Sequence, residues 1–189
     1  MVVVRAVATL AVLACSPPAN ERGRAIKEFE DRVEAYAQLH KKLEGGLPAV
    51  KQGADPAAIK AHQEALAKAI ADARASAKVG DVFVEAVRPI FRELIQKELK
   101  GPDGAEKRET IREDVNGSSK KQLDAFVPQV NAPYPEGAAL TTVPPSLLLK
   151  LPPLPSEAVE YRFTTRDLLL RDPVANIVVD VLREVVPPR

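Results

Sequence analysis

The sequence predicts an α+β fold: an N-terminal antiparallel helical hairpin plus a third helix, followed by a small proline-rich C-terminal antiparallel β unit. Three observations predict it. Between Glu21 and Lys78, apolar residues recur at helical spacing in two long segments, parted by Gly45, Gly46, Pro48, Gly53 and Pro56. Beyond Gly117 the composition shifts, and most of the 17 prolines fall there. Within that region Val159, Tyr161 and Phe163 alternate with Glu160, Arg162 and Thr164, the period of a half-buried strand.

In chain order, Ala6 to Ala14 is an unbroken run of small and apolar residues with Arg5 before it and Cys15 behind it. Such a run is too short to span a bilayer and fits the core of a secretory signal. Val12-Leu13-Ala14-Cys15 resembles a bacterial lipobox, in which the cysteine is lipidated and becomes the mature N-terminus. The chain is thus expected to be exported and membrane-anchored through a lipid on Cys15, with residues 1–15 as signal and 16–20 as a stiff tether. In such lipoproteins a Ser at the place of Ser16 implies the outer membrane rather than retention at the inner one. The lone cysteine forms no internal disulfide.

The first helix is read from Glu21 to Glu44, with Ile26, Phe29, Val33, Tyr36 and Leu43 on one stripe and His40 filling the gap in it. The second runs from Asp55 to Lys78. Asp55 is its N-cap, Pro56 its first residue and Gly80 its stop, with Ile59, Leu66 and Ile70 on the inner side. Its alanines favour helix but offer little apolar area, so the hairpin needs a cover. Val87, Ile90, Phe91, Leu94 and Ile95 form that cover if the third helix starts near Val87, which leaves Pro89 in the tolerated first turn. Asp103 to Asn116 reads as a short charged surface helix. Residues 21–116 form the helical domain, and residues 117–189 the β-containing region packed upon it. There Pro144-Pro145 opens a short helix that Pro152 stops, and the leucines of Val143 to Pro155 drape over the core. Thr164 to Asp167 turns into a second strand, and Ile177 to Leu182 makes a third apolar run, strand or short helix.

The C-terminal part carries Val143-Pro144-Pro145, Leu151-Pro152-Pro153-Leu154-Pro155, Glu160-Tyr161-Arg162-Phe163, Arg166-Asp167-Leu168-Leu169-Leu170-Arg171-Asp172 and Ala175-Asn176-Ile177-Val178-Val179-Asp180. With these the chain resembles a family of uncharacterised exported bacterial proteins of lipoprotein type. The resemblance extends over most of the mature chain and implies export, but no activity, cofactor or catalytic residue.

Composition narrows the function. The 27 basic and 26 acidic residues leave a net charge of +1, and aromatic residues make up 4% without tryptophan. Neither a basic footprint for nucleic acid nor a stacking platform is present. No G-x-S-x-G motif or glycine-rich phosphate loop occurs, and no histidine lies near Ser118, Ser119, Ser146 or Ser156.

One constellation has specific chemistry. His40 lies just before Gly45 and His62 shortly after Pro56, so an antiparallel hairpin sets them at similar height, and Glu44 follows His40 by one turn. His40, Glu44 and His62 then offer zinc or another divalent metal a ligand set with an open position. The same pair also reads as two polar residues at the open end of a helix interface, or as a pH switch through repulsion below about pH 6.5. Asp167, Asp172 and Asp180 offer a carboxylate cluster if the β unit gathers them, or three turn and strand-end aspartates with local bonds. The leading expectation is a non-catalytic binding or structural role in the cell envelope, periplasmic or outer-membrane-anchored, with a protein partner held through the hairpin. The alternatives are a divalent-metal binder or metal-dependent envelope enzyme using His40 and His62, and a helical periplasmic chaperone.

Overall fold

The computed structural model describes residues 19–51, 53–113, 126–135, 143–164 and 166–187. Cys15 and the signal, Val115, Ser118 and Ser119 lie outside the described residues. Among the described residues the order is α1 (Ala19–Glu44), α2 (Pro56–Ala73), α3 (Arg88–Lys100), α4 (Gly104–Glu113), α5 (Pro145–Leu148), β1 (Glu160–Phe163), β2 (Leu168–Asp172) and β3 (Ile177–Leu182). The α+β class, with N-terminal helices and C-terminal antiparallel strands, follows the sequence; the run Ile177–Leu182, open between strand and short helix, is the third strand of a sheet ordered β1-β2-β3.

The α1 stripe buries Phe29, Val33, Tyr36, Ala37 and His40, with Ile26 and Leu43 partly covered. The helix begins at Ala19 rather than Glu21, taking two residues from the expected tether. Asp55 caps α2 as expected, its Oδ1 accepting the Ala58 amide at 2.7 Å, and Pro56 opens the helix. Two expectations for α2 fail. The helix ends at Ala73 instead of Lys78, because Arg74 leaves the helical conformation and donates to Asn131 Oδ1 at 2.9 Å and to the Val179 carbonyl at 3.1 Å. Ile59 is 52% exposed, whereas Leu66 and Ile70 are fully buried, so the inner face of α2 engages only along its later turns.

The cover is α3. Val87 stands at its N-cap and Pro89 in its first turn. Phe91 makes edge contacts with Phe29 at 5.1 Å, Phe83 at 5.2 Å and Tyr161 at 5.9 Å between ring centres, so one aromatic cluster joins α1, α3 and β1. A single buried cluster includes Phe29, Leu66, Phe91, Leu147, Phe163 and Val179, drawn from both sides of Gly117.

Strands β2 and β3 are buried on both faces, whereas β1 buries only Tyr161 and Phe163 and leaves Glu160 and Arg162 partly covered. Leu168, Leu170, Ile177 and Val179 face the helices. Leu169, Val178 and Val181 pack on Tyr134, with Phe126 beside them. Residues 131–134 run along β3, with Asn131 donating to the Val178 carbonyl at 2.8 Å and Tyr134 to that of Asn176 at 2.9 Å, which occupies the outer edge of β3.

Asp180 holds the segment between α2 and α3 against this sheet. Fully buried on β3, it accepts the amides of Gly80 at 2.8 Å, Val82 at 2.8 Å and Phe83 at 2.7 Å. Gly80 takes φ +96°, a conformation that favours glycine, and a Cβ there would displace the Arg88 guanidinium from its place.

Candidate functional site

Tyr36 and His40 sit one turn apart on the buried face of α1, where a wholly apolar stripe would carry two more hydrocarbon side chains. Their partner comes from the β2–β3 turn. Asp172 ends β2, and its Oδ1 accepts the amides of Val174 at 2.9 Å and Ala175 at 2.8 Å, the bond pattern of an Asx turn. That leaves Oδ2 facing the helix, where it accepts the Tyr36 hydroxyl at 2.7 Å and the His40 Nδ1–H at 2.6 Å. Asp172 is fully buried, and Tyr36 and His40 nearly so.

The network continues to the surface. His40 Nε2 lies 3.4 Å from one oxygen of Glu44, and the other oxygen lies 3.9 Å from His62 Nε2. His62 Nδ1 donates to the Pro48 carbonyl at 3.2 Å. Each ring therefore has its Nδ1–H fixed by an oxygen acceptor and turns its Nε2 toward the same carboxylate. The hydrogen bond to Asp172 raises the His40 pKa above its ordinary 6.5, against burial, which lowers it, and the charges of Asp172 and Glu44 add to the rise. Burial, and next the Asp172 charge, push the Tyr36 hydroxyl above the ordinary tyrosine range. The Arg74 guanidinium lies 5.1 Å from the Tyr36 ring centre and closes the inner side.

The outer end opens into a cleft of about 890 Å³ lined by Glu44, Leu47, Val50, Ile59, His62 and Val174, among others. A second hollow of about 670 Å³ continues under the connector along Pro48, Ala58, Ala61 and Ala65. Val50, Ile59 and Val174 are all exposed.

The sequence-predicted residues His40, Glu44 and His62 are thus brought together, with Glu44 between the rings. Among the described residues, however, no three His, Cys, Asp or Glu side chains stand close enough together to hold a metal ion as placed. The carboxylate cluster does not form. Asp172 is taken by α1 and its own turn, Asp180 by the loop before α3, and Asp167 by Arg183 at 2.9 Å and the Glu184 amide at 2.9 Å. Sequence reasoning missed Tyr36 and Asp172 as partners of His40. The signal that was present is the pair of polar groups on an otherwise apolar stripe, since a buried polar group demands a partner.

What the fold and site define is an α+β protein in which a buried tyrosine, aspartate and histidine join a helical hairpin to a sheet and lead to a surface cleft. No protein-family model, no curated protein and no solved structure matches the chain.

Proposed function

We propose that this is an exported cell-envelope protein, anchored by lipid on Cys15, whose role is non-catalytic: it holds a protein partner at the connector end of its helical hairpin. The observation that carries this reading is the distribution of uncovered apolar surface. Along the described part of the hairpin Phe29, Val33, Leu66 and Ile70 are fully buried, which counts against the long bare apolar face of a helical chaperone. At the connector Val50, Ile59 and Val174 stand exposed around a cleft with Glu44 and His62 in its wall, an apolar centre with polar orienting groups. The α1 helix is 26 residues long, so this cleft lies about 39 Å along the helix from its N-terminus. An anchor on Cys15 would hold the cleft clear of the membrane. A photo-crosslinking residue placed at Ile59 or Val174 in cells yields one discrete protein adduct on this reading, and none from Lys68 on the exposed face of α2. Adducts equally frequent at all three positions, or at none, overturn it.

A second reading, a divalent cation such as zinc shared by His40, Glu44 and His62, is favoured by the fixed Nδ1–H groups. Both Nε2 atoms face one carboxylate, and each Nδ1 is held by an oxygen acceptor, as in sites where an outer carboxylate or carbonyl orients a ligating histidine; a cation would have to displace the Nε2 proton of His40. The three side chains would have to close together to reach ligand distances near 2 Å. Calorimetric titration of the unlipidated protein with zinc then gives about one equivalent, lost in His62→Ala. Absence of heat in the wild type removes the cation.

A further inference from the structure

The end of the molecule opposite the cleft carries its own uncovered apolar surface. Leu149 is 85% exposed and Leu148 49%, while Leu147 of the same turn is fully buried. Lys150 follows them in the chain and is exposed, as are Lys97 and Lys100 on the last turn of α3. Lys107 pairs with Glu98 at 2.7 Å, and the charges of Lys150 and Lys97 also reach that carboxylate, so the packing of α5 on α3 brings Lys150 to the Glu98 side of the last turn of α3.

Contacts along α1 fix which end this is. Tyr36 meets Asp172, Phe29 meets Phe83 and Phe91, and Arg22 meets Glu93 at 2.9 Å. From Phe91 beside Phe29, α3 comes within reach of Arg22 at Glu93, and its last turn, carrying Lys97 and Lys100, lies about 6–10 Å beyond Glu93 along its own axis. The short helix α5 packs on α3. Cys15 precedes Ala19 by four residues, a span of at most about 14 Å. A lipid on Cys15 would thus hold this end, and not the cleft, against the headgroups.

We infer that the Leu148–Leu149 turn is a membrane-contact tip: the two leucines enter the boundary of the acyl region, and Lys97, Lys100 and Lys150 meet anionic headgroups. Exposed leucines beside lysines suit that interface, since apolar burial and attraction to anionic lipid add together. The inference rests on Cys15 being the anchor.

The chain has no tryptophan and Cys15 is its only cysteine, so both are free as unique probes. The chain from Cys15 onward, which carries every described element, is coupled through that thiol to maleimide lipid in vesicles of phosphatidylethanolamine and phosphatidylglycerol. Brominated acyl chains are then added as the quencher. Emission from a Leu149→Trp variant should be quenched at least about threefold more than from Ile59→Trp at the far cleft. Equal quenching of the two overturns the tip. Lipidation in the cell is read separately from the mass of the Cys15 peptide, so failure of the anchor and failure of the tip are told apart.

Discussion

Asp172, fully buried, accepts two side-chain and two backbone donors, so its removal leaves the buried Tyr36, His40 and Ala175 donors without their partner at once. Deleting one member of a buried charged network costs about 3–5 kcal/mol, and Asp172→Ala is expected to lose that much in urea unfolding. Its partner sets a pH dependence of defined sign. His40 has a folded pKa above 6.5, so between 6.5 and that higher value the folded chain keeps a proton the unfolded chain has released. The stabilisation is complete below the unfolded value and is lost as pH rises through the folded one. Urea midpoints should therefore fall with rising pH across that window in the wild type. They should fall less in His40→Gln, and ring titration by NMR gives the window directly. The apolar period sets Tyr36 on the stripe and His40 in its gap, so the position of both groups on the inner face was legible in the sequence but their partnership was not. Asp172 stands 132 residues away from His40, and an aspartate before a proline reads first as a turn.

At the scale of elements, the apolar period alone puts Ile59, Leu66 and Ile70 on one face, but only the last two are buried. Leu66→Ala should cost about 2–5 kcal/mol, as for a well-packed core leucine, while Ile59→Ala should stay within about 0.5 kcal/mol. Thermal unfolding of the two variants checks the difference, and comparable losses would mean that the first turns of α2 pack more deeply than described. Starts were legible because their chemistry is local: Asp55-Pro56 caps α2, and Pro89 fits only the first turn of α3. The end of α2 was not. Its alanine-rich sequence continues past Ala73, yet Arg74 bonds Asn131 and β3, and the loop beyond must deliver Gly80 to Asp180. Tertiary partners there outweigh helix propensity, which differs among ordinary residues by under about 0.7 kcal/mol each.

For the whole molecule, the proline-rich shift after Gly117 suggested a boundary between a helical part and a β part, but the packing crosses it. Phe91 of α3 meets Tyr161 of β1, Asp180 of β3 accepts the amides before α3, and Asp172 of β2 bonds α1. Each side alone would expose half of one buried cluster and leave Asp172 or its partners unsatisfied. The chain should consequently unfold as one cooperative unit, with helical circular dichroism and tyrosine fluorescence giving coincident urea transitions. A fragment ending at residue 116 keeps α1 to α4 but loses the sheet side of the core. It should show reduced helicity and no cooperative transition, since short helices draw most of their stability from packing rather than propensity. A fragment that retained full helicity and its own sharp midpoint would instead make the helices an independent domain, with the Asp172 and Asp180 contacts reduced to docking bonds between two folded parts.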